Sequence, residues 1–103
     1  MMNRVKITVL KRYFDEEMNA EYGHPELDKC DLHEEGQVYY ASLSKPEGMC
    51  DDAWKTMYPY VFALAHGVDY FYDNDGTTKP GIAVTSCNDG IRPVIFLLER
   101  IDD

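Results

Sequence analysis

No apolar run in the chain approaches the roughly 18 residues that a membrane span requires, and Met1-Met2-Asn3-Arg4 leads straight into a strand pattern, not a signal peptide. A cytoplasmic protein without a membrane partner is the expectation. Basic side chains are also scarce: ten Lys and Arg stand against 19 Asp and Glu, a formal charge of -9. That excess repels nucleic-acid phosphates and anionic lipid, so no nucleic-acid partner is expected. The one basic cluster is Arg4, Lys6, Lys11 and Arg12. Strand alternation puts Arg4, Lys6 and Arg12 on one outward face, the pattern of a solvated sheet surface. Cysteines number three, Cys30, Cys50 and Cys87, with no close pair. This excludes the disulfide framework of a secreted domain and points to reduced thiols. A glycine-rich phosphate loop, a Ser-His-Asp order and an Asn-x-Ser/Thr acceptor are all missing.

What is present is a globular composition: 103 residues, 45% hydrophobic and 13% aromatic. This suits one domain over 1–103, large enough for a core without disulfides. The longest apolar run, Val94-Ile95-Phe96-Leu97-Leu98, follows the turn signal Asn88-Asp89-Gly90 and reads as a hairpin arm entering a core strand. Val94, Phe96 and Leu98 face one side and Ile95 and Leu97 the other, so both faces need a cover. Val5, Ile7 and Val9 alternate with polar residues in a strand running to about Arg12. Asp15 to Tyr22 is a short helix ended by Gly23 and Pro25. A second strand follows Gly36.

Cys50 to His66 is the best helix, with Trp54, Met57, Val61, Leu64 and Ala65 at helical spacing, Asp51 as cap and Gly67 as terminator. Pro59 predicts a kink or two helical pieces. Ile82 to Ser86 pairs with Arg92 to Ile101, and Pro93 places the start of that last strand at a sheet edge or bulge. The fold expected is α+β: a small, mostly antiparallel four-stranded sheet with two helices in the order βαβαββ. One short helix barely covers the second face of the last strand, so a homodimer is expected.

The pattern of Cys30 and Gly36, then Pro46-Glu47-Gly48-x-Cys50-x-x-Ala53-Trp54, then Cys87-x-Asp89-Gly90-x-Arg92-Pro93-Val94-Ile95-Phe96 with Glu99-Arg100, resembles a family of small uncharacterised prokaryotic proteins of about this length. The resemblance spans nearly the whole chain and implies that the three cysteines stand at motif positions. It brings no activity with it. The acidic, aromatic stretch from Asp69 to Thr78 has no counterpart in it.

Cys30, Cys50 and Cys87 each fall at an element boundary, and such ends can converge at one rim of a small sheet. Cys30-x-x-His33 has a spacing that offers two ligands to one metal, so Cys30, Cys50, Cys87 and His33 form a candidate site for zinc or another thiophilic metal. Cys50, at a helix N-terminus that favours the thiolate, is the candidate nucleophile and Cys87 its resolving partner; Asp51 and Asp52 oppose the thiolate. The alternative is a non-catalytic interaction or small-ligand-binding module whose cysteines only pack, with Tyr39, Tyr40, Tyr58 and Tyr60 lining a pocket or a subunit surface. Asp73-Asn74-Asp75-Gly76 is a polar turn, not a calcium loop, because Phe71 and Ile82 would occupy its first and last ligand positions. His66 is placed to meet the last helical carbonyls.

Overall fold

The computed structural model describes residues 2–72 and 76–101, and the Asp73-Asn74-Asp75 turn lies outside them. The elements are β1 (Arg4–Arg12), α1 (Glu16–Tyr22), β2 (Val38–Ala41), α2 (Asp51–Ala65), β3 (Ile82–Ser86) and β4 (Val94–Ile101). They form one antiparallel sheet in the order β2-β1-β4-β3, with two helices. The fold is therefore the expected α+β arrangement in the order βαβαββ. No helix among the described residues is long and apolar enough to cross a membrane.

The core lies between α2 and one face of the sheet. Val5, Ile7 and Val9 of β1 and Val94, Phe96 and Leu98 of β4 point into it, against Ala53, Met57, Val61, Leu64 and Ala65 of α2. The alternation of the strands and the helical spacing thus select the same core. Trp54 stays at the margin of the stripe, half-buried against Tyr58.

Three local expectations are corrected. The first is Arg12. The ladder shifts register between Val9 and Lys11, so Arg12 pairs with Val94, whose side chain points into the core. A bulge inserts one residue and reverses the facing of everything after it. Arg12 therefore leaves the outward face of Arg4 and Lys6 and is half-buried on the core side.

The second is Pro59, which lies within one continuous helix and does not divide it into two pieces. Both Pro59 and Lys55, whose carbonyl loses its donor, are on the exposed side, where water can satisfy that carbonyl. Pro59→Ala restores the donor at the cost of a freer unfolded chain. It is expected to raise stability by about 1–2 kcal/mol in urea titrations. The N-cap of this helix is Cys50, not Asp51, and Gly67 follows its end at a φ of 96°.

The third is Pro93. β4 is a central strand, not an edge, while the bulge expected near its start is present in β1, opposite Ile95 and Phe96; Pro93 stands just outside β4, accepting the Tyr13 amide through its carbonyl at 2.9 Å.

α1 buries none of its residues, and α2 is the helix that packs on β1, β3 and β4. The face of the sheet away from α2 thus has no helical layer on it.

Candidate functional site

Cys30, Cys50 and Cys87, separated in sequence by 20 and 37 residues, line one pocket of about 110 Å³ at the end of the sheet where α2 begins. His33, Asp52 and Arg92 also line it. All three cysteines are free and partly buried, and each packs against the hydrophobic core. The four candidate residues named from the sequence are therefore brought together.

Different elements deliver each thiol. Cys30 belongs to the irregular segment before β2, which is pinned to the end of β1. The Arg12 Nη1 donates to the Cys30 carbonyl at 3.1 Å, the Arg12 amide donates to the Glu35 carboxylate at 3.0 Å, and the Gly36 amide donates to the Val9 carbonyl at 2.8 Å. The bulge in β1 makes this possible, because it turns Arg12 towards that segment. Gly36 takes a φ of 92°, which favours glycine at this return of the chain.

Cys50 is the N-cap of a 15-residue helix, and its side chain makes no capping bond. The first-turn amides are orphan donors at the positive end of the helix dipole. Asp52 stands in the wall of the same pocket.

Cys87 follows β3 and opens the hairpin to β4. Its amide donates to the Val94 carbonyl at 3.0 Å, and its sulfur accepts the Val94 amide at 3.3 Å while facing the Arg92 carbonyl at 3.9 Å. Asp89 stitches the turn: one carboxylate oxygen accepts the amides of Ile91 at 2.9 Å and Arg92 at 3.0 Å, and the other accepts Arg92 Nε at 3.2 Å. Burial alone would raise the Asp89 carboxyl, but these two amides and the guanidinium outweigh it and hold the group below its ordinary range. The Arg92 charge is thus committed to Asp89.

His33 anchors the centre. It is 1% exposed, with its ring edge-on to Phe96 at 5.5 Å and to Tyr39 at 5.7 Å. The Cys50 amide donates to His33 Nε2 at 3.3 Å, which makes Nε2 the acceptor of a neutral ring. The proton then sits on Nδ1 and is donated to the Tyr39 hydroxyl at 3.0 Å, which passes its own proton towards Gln37 Oε1 at 3.3 Å. Burial lowers the His33 pKa from its ordinary value, against a smaller opposing effect of Gln37, and burial also raises that of Tyr39. Both ring nitrogens are engaged. His33 positions Cys50 through its backbone.

No family model, curated protein or solved structure matches the chain.

A zinc-like centre needs three or four donors at about 2.0–2.3 Å from one point. Among the described residues no group of three or more His, Cys, Asp or Glu side chains is placed to hold a metal ion. The pocket gathers the candidate ligands without arranging them as a coordination shell, so no step is assigned to a metal.

The four tyrosines singled out from the sequence disperse. Tyr39 serves His33, Tyr40 lies under Arg4 with its ring centroid 5.5 Å from the guanidinium carbon, Tyr58 joins Trp54 and Phe62 along α2, and Tyr60 pairs its hydroxyl with that of Tyr72 at 2.6 Å. His66 stacks on Phe62 and bonds its carbonyl at 2.8 Å, as its place at the helix end predicts. The features that sequence reasoning missed are the His33–Tyr39 bond and the Asp89 clasp. The second had a signal: an Asp whose side chain can reach the amides two and three residues on, ahead of a glycine.

Proposed function

We propose that the pocket is a thiol redox site, with Cys50 as the nucleophile and Cys87 as its resolving partner. The observation that carries this reading is the convergence of three free cysteines, from three distant segments, on one pocket of about 110 Å³. A cavity of roughly 150 Å³ takes a guest the size of benzene, so this pocket suits a smaller oxidant of the hydroperoxide class. The pocket's charges, Asp52 and the mutually paired Asp89 and Arg92, favour a neutral oxidant over an anionic one. The Cys50 thiolate attacks a peroxide oxygen, the O–O bond breaks, and the alcohol or water leaves after taking up a proton, so that Cys50 becomes a sulfenic acid. Cys87 then attacks that sulfur, water leaves, and a disulfide forms. Two thiols supply the two electrons, and an external thiol restores them.

We place the protein in the reducing cytoplasm, away from nucleic acid, because free thiols and a charge of -9 suit that setting. We also propose that it is a homodimer, since the sheet face away from α2 carries Val84 and Tyr40 at 56% and 52% exposure.

The packing of all three cysteines against the core supports a second reading, in which they are structural. One experiment separates the two. Native protein is treated with one equivalent of hydrogen peroxide, its thiols are blocked, and its peptides are mapped by mass spectrometry. The redox reading expects a Cys50–Cys87 disulfide in the wild type, no oxidation in Cys50→Ser, and a trappable sulfenic acid on Cys50 in Cys87→Ser. Thiols that react only after unfolding support the structural reading. About one equivalent of zinc in protein purified without chelator, with thiols exposed on chelation, would replace both with a metal site.

A further inference from the structure

We propose that two copies meet face to face on the open side of the sheet, about a two-fold axis that runs parallel to the strands between β1 and β4. This rests on the homodimer reading and adds to it the axis and the contacts. The residues pointing away from α2 form cross-strand rows. One row is Tyr40, Lys6, Glu99 and Ile82, and the next is Val38, Thr8, Leu97 and Val84. These two rows are thus apolar apart from Thr8 in one and a single pair of opposite charges in the other. Lys6 and Glu99 are direct neighbours on the two central strands, yet neither side chain makes a hydrogen bond or an ion pair among the described residues.

Rotation about the proposed axis exchanges β1 with β4 and β2 with β3. Because Lys6 and Glu99 stand at the same height along the strands, Lys6 comes over the partner's Glu99, and Glu99 over the partner's Lys6. Leu97 comes over the partner's Thr8, Val38 over the partner's Val84, and Tyr40 over the partner's Ile82. Facing sheets lie about 10 Å apart, a gap that an extended lysine and a glutamate span together. The other axis in the plane, across the strands, lays β1 on β1 and β4 on β4. It sets Lys6 against a second Lys6 or an uncharged row, and Glu99 likewise. Charge therefore selects the axis along the strands.

It also selects the occupant. Each chain carries a charge of -9, so self-association is opposed over most of the surface. On this face Lys6 and Lys11 outnumber the one acid among the described residues, Glu99, and in the two central rows a second copy supplies both a matching apolar surface and the opposite charge at Lys6 and Glu99. Strands of 9, 4, 5 and 8 residues, at about 3.4 Å per residue and about 4.8 Å apart, give a face of roughly 400 Å² per copy. This is below the ~800 Å² per partner of a standard interface, so micromolar affinity is expected.

The test uses sedimentation velocity at tens of micromolar on the wild type, Lys6→Glu, Glu99→Lys and an equimolar mixture of the two variants, with circular dichroism confirming that each folds. The wild type is expected to be a dimer. Lys6→Glu places acids on all four facing positions and Glu99→Lys places bases there, so each variant alone is expected to pair roughly 100-fold more weakly and to sediment as a monomer. Mixed, they face acid with base twice and are expected to form a heterodimer. A wild type that stays monomeric overturns the homodimer reading itself. A dimeric wild type whose variants also dimerise, or whose monomeric variants do not combine, leaves the homodimer standing and overturns this axis.

Discussion

Phe96→Ala is expected to cost about 3–5 kcal/mol, the largest loss for any single truncation in the chain. Phe96 is 0% exposed and is the largest of the fully buried side chains. It stands on β4, the strand paired on both sides, and meets Val9 and Thr85 across the two ladders. Truncation removes the ring's burial and leaves a cavity that strands held on both sides cannot close. The edge of the ring also supports His33 at 5.5 Å, so the loss reaches the pocket. A domain of this size is ordinarily stable by about 5–15 kcal/mol, which puts the variant near the threshold of folding. Urea unfolding should show its midpoint lowered by on the order of 2 M. Leu97→Ala, one residue along on the open face, serves as the control in dilute monomer, with a loss of about 1 kcal/mol. Equal losses at the two positions would contradict the one-sided core.

That one-sidedness shows where sequence reasoning succeeds. Strand alternation is periodic, so Val94, Phe96 and Leu98 separate from Ile95 and Leu97 without any knowledge of the neighbours. The helical spacing of Met57, Val61 and Leu64 is equally local. Even the convergence of the cysteines is foreshadowed, because residues at element ends collect at the rims of a small sheet.

The contacts inside the site are another matter. Alternation alone puts Arg12 on the wrong face, because a bulge is a feature of pairing between two strands and leaves no mark in the period of one. His33 carries a metal-ligand spacing with Cys30, yet its nitrogens are satisfied by Cys50 and Tyr39, residues 17 and 6 positions away. Spacing within one segment cannot reveal a partner on another. Pro59 predicts a kink or two helical pieces because its penalty is intrinsic, while the exposure that moderates it depends on which helical face the core takes.

His33→Ala is expected to cost about 2–4 kcal/mol, read as a lowered midpoint in urea titrations. Removing the imidazole strips the Cys50 amide of its acceptor and the Tyr39 hydroxyl of its donor, and an unpaired buried polar group costs about 1–3 kcal/mol. The missing packing against Phe96 adds to this.

A pH dependence follows from the same burial. The His33 pKa in the folded chain lies below its ordinary value of about 6.5, so the unfolded chain takes up this proton first as the pH falls. The stabilising contribution of the neutral ring is complete above about pH 6.5 and is lost progressively as the pH falls from there through the folded value. Asp51 and Asp89, with lowered carboxyl pKa values, act at lower pH, below the ordinary carboxylate range. Urea midpoints at pH 7.5, 6.5 and 5.5 should therefore decline in the wild type and stay level in His33→Ala. Protonation also converts Nε2 from acceptor to donor, so the Cys50 amide loses its partner in the same window. Peroxide reactivity of Cys50 should then change with the stability as the pH falls, beyond the ordinary titration of a thiol. A wild-type midpoint that does not change from pH 7.5 to 5.5 would show that His33 is not held neutral, and the hydrogen-bond chain from Cys50 to Gln37 would have to run in another direction.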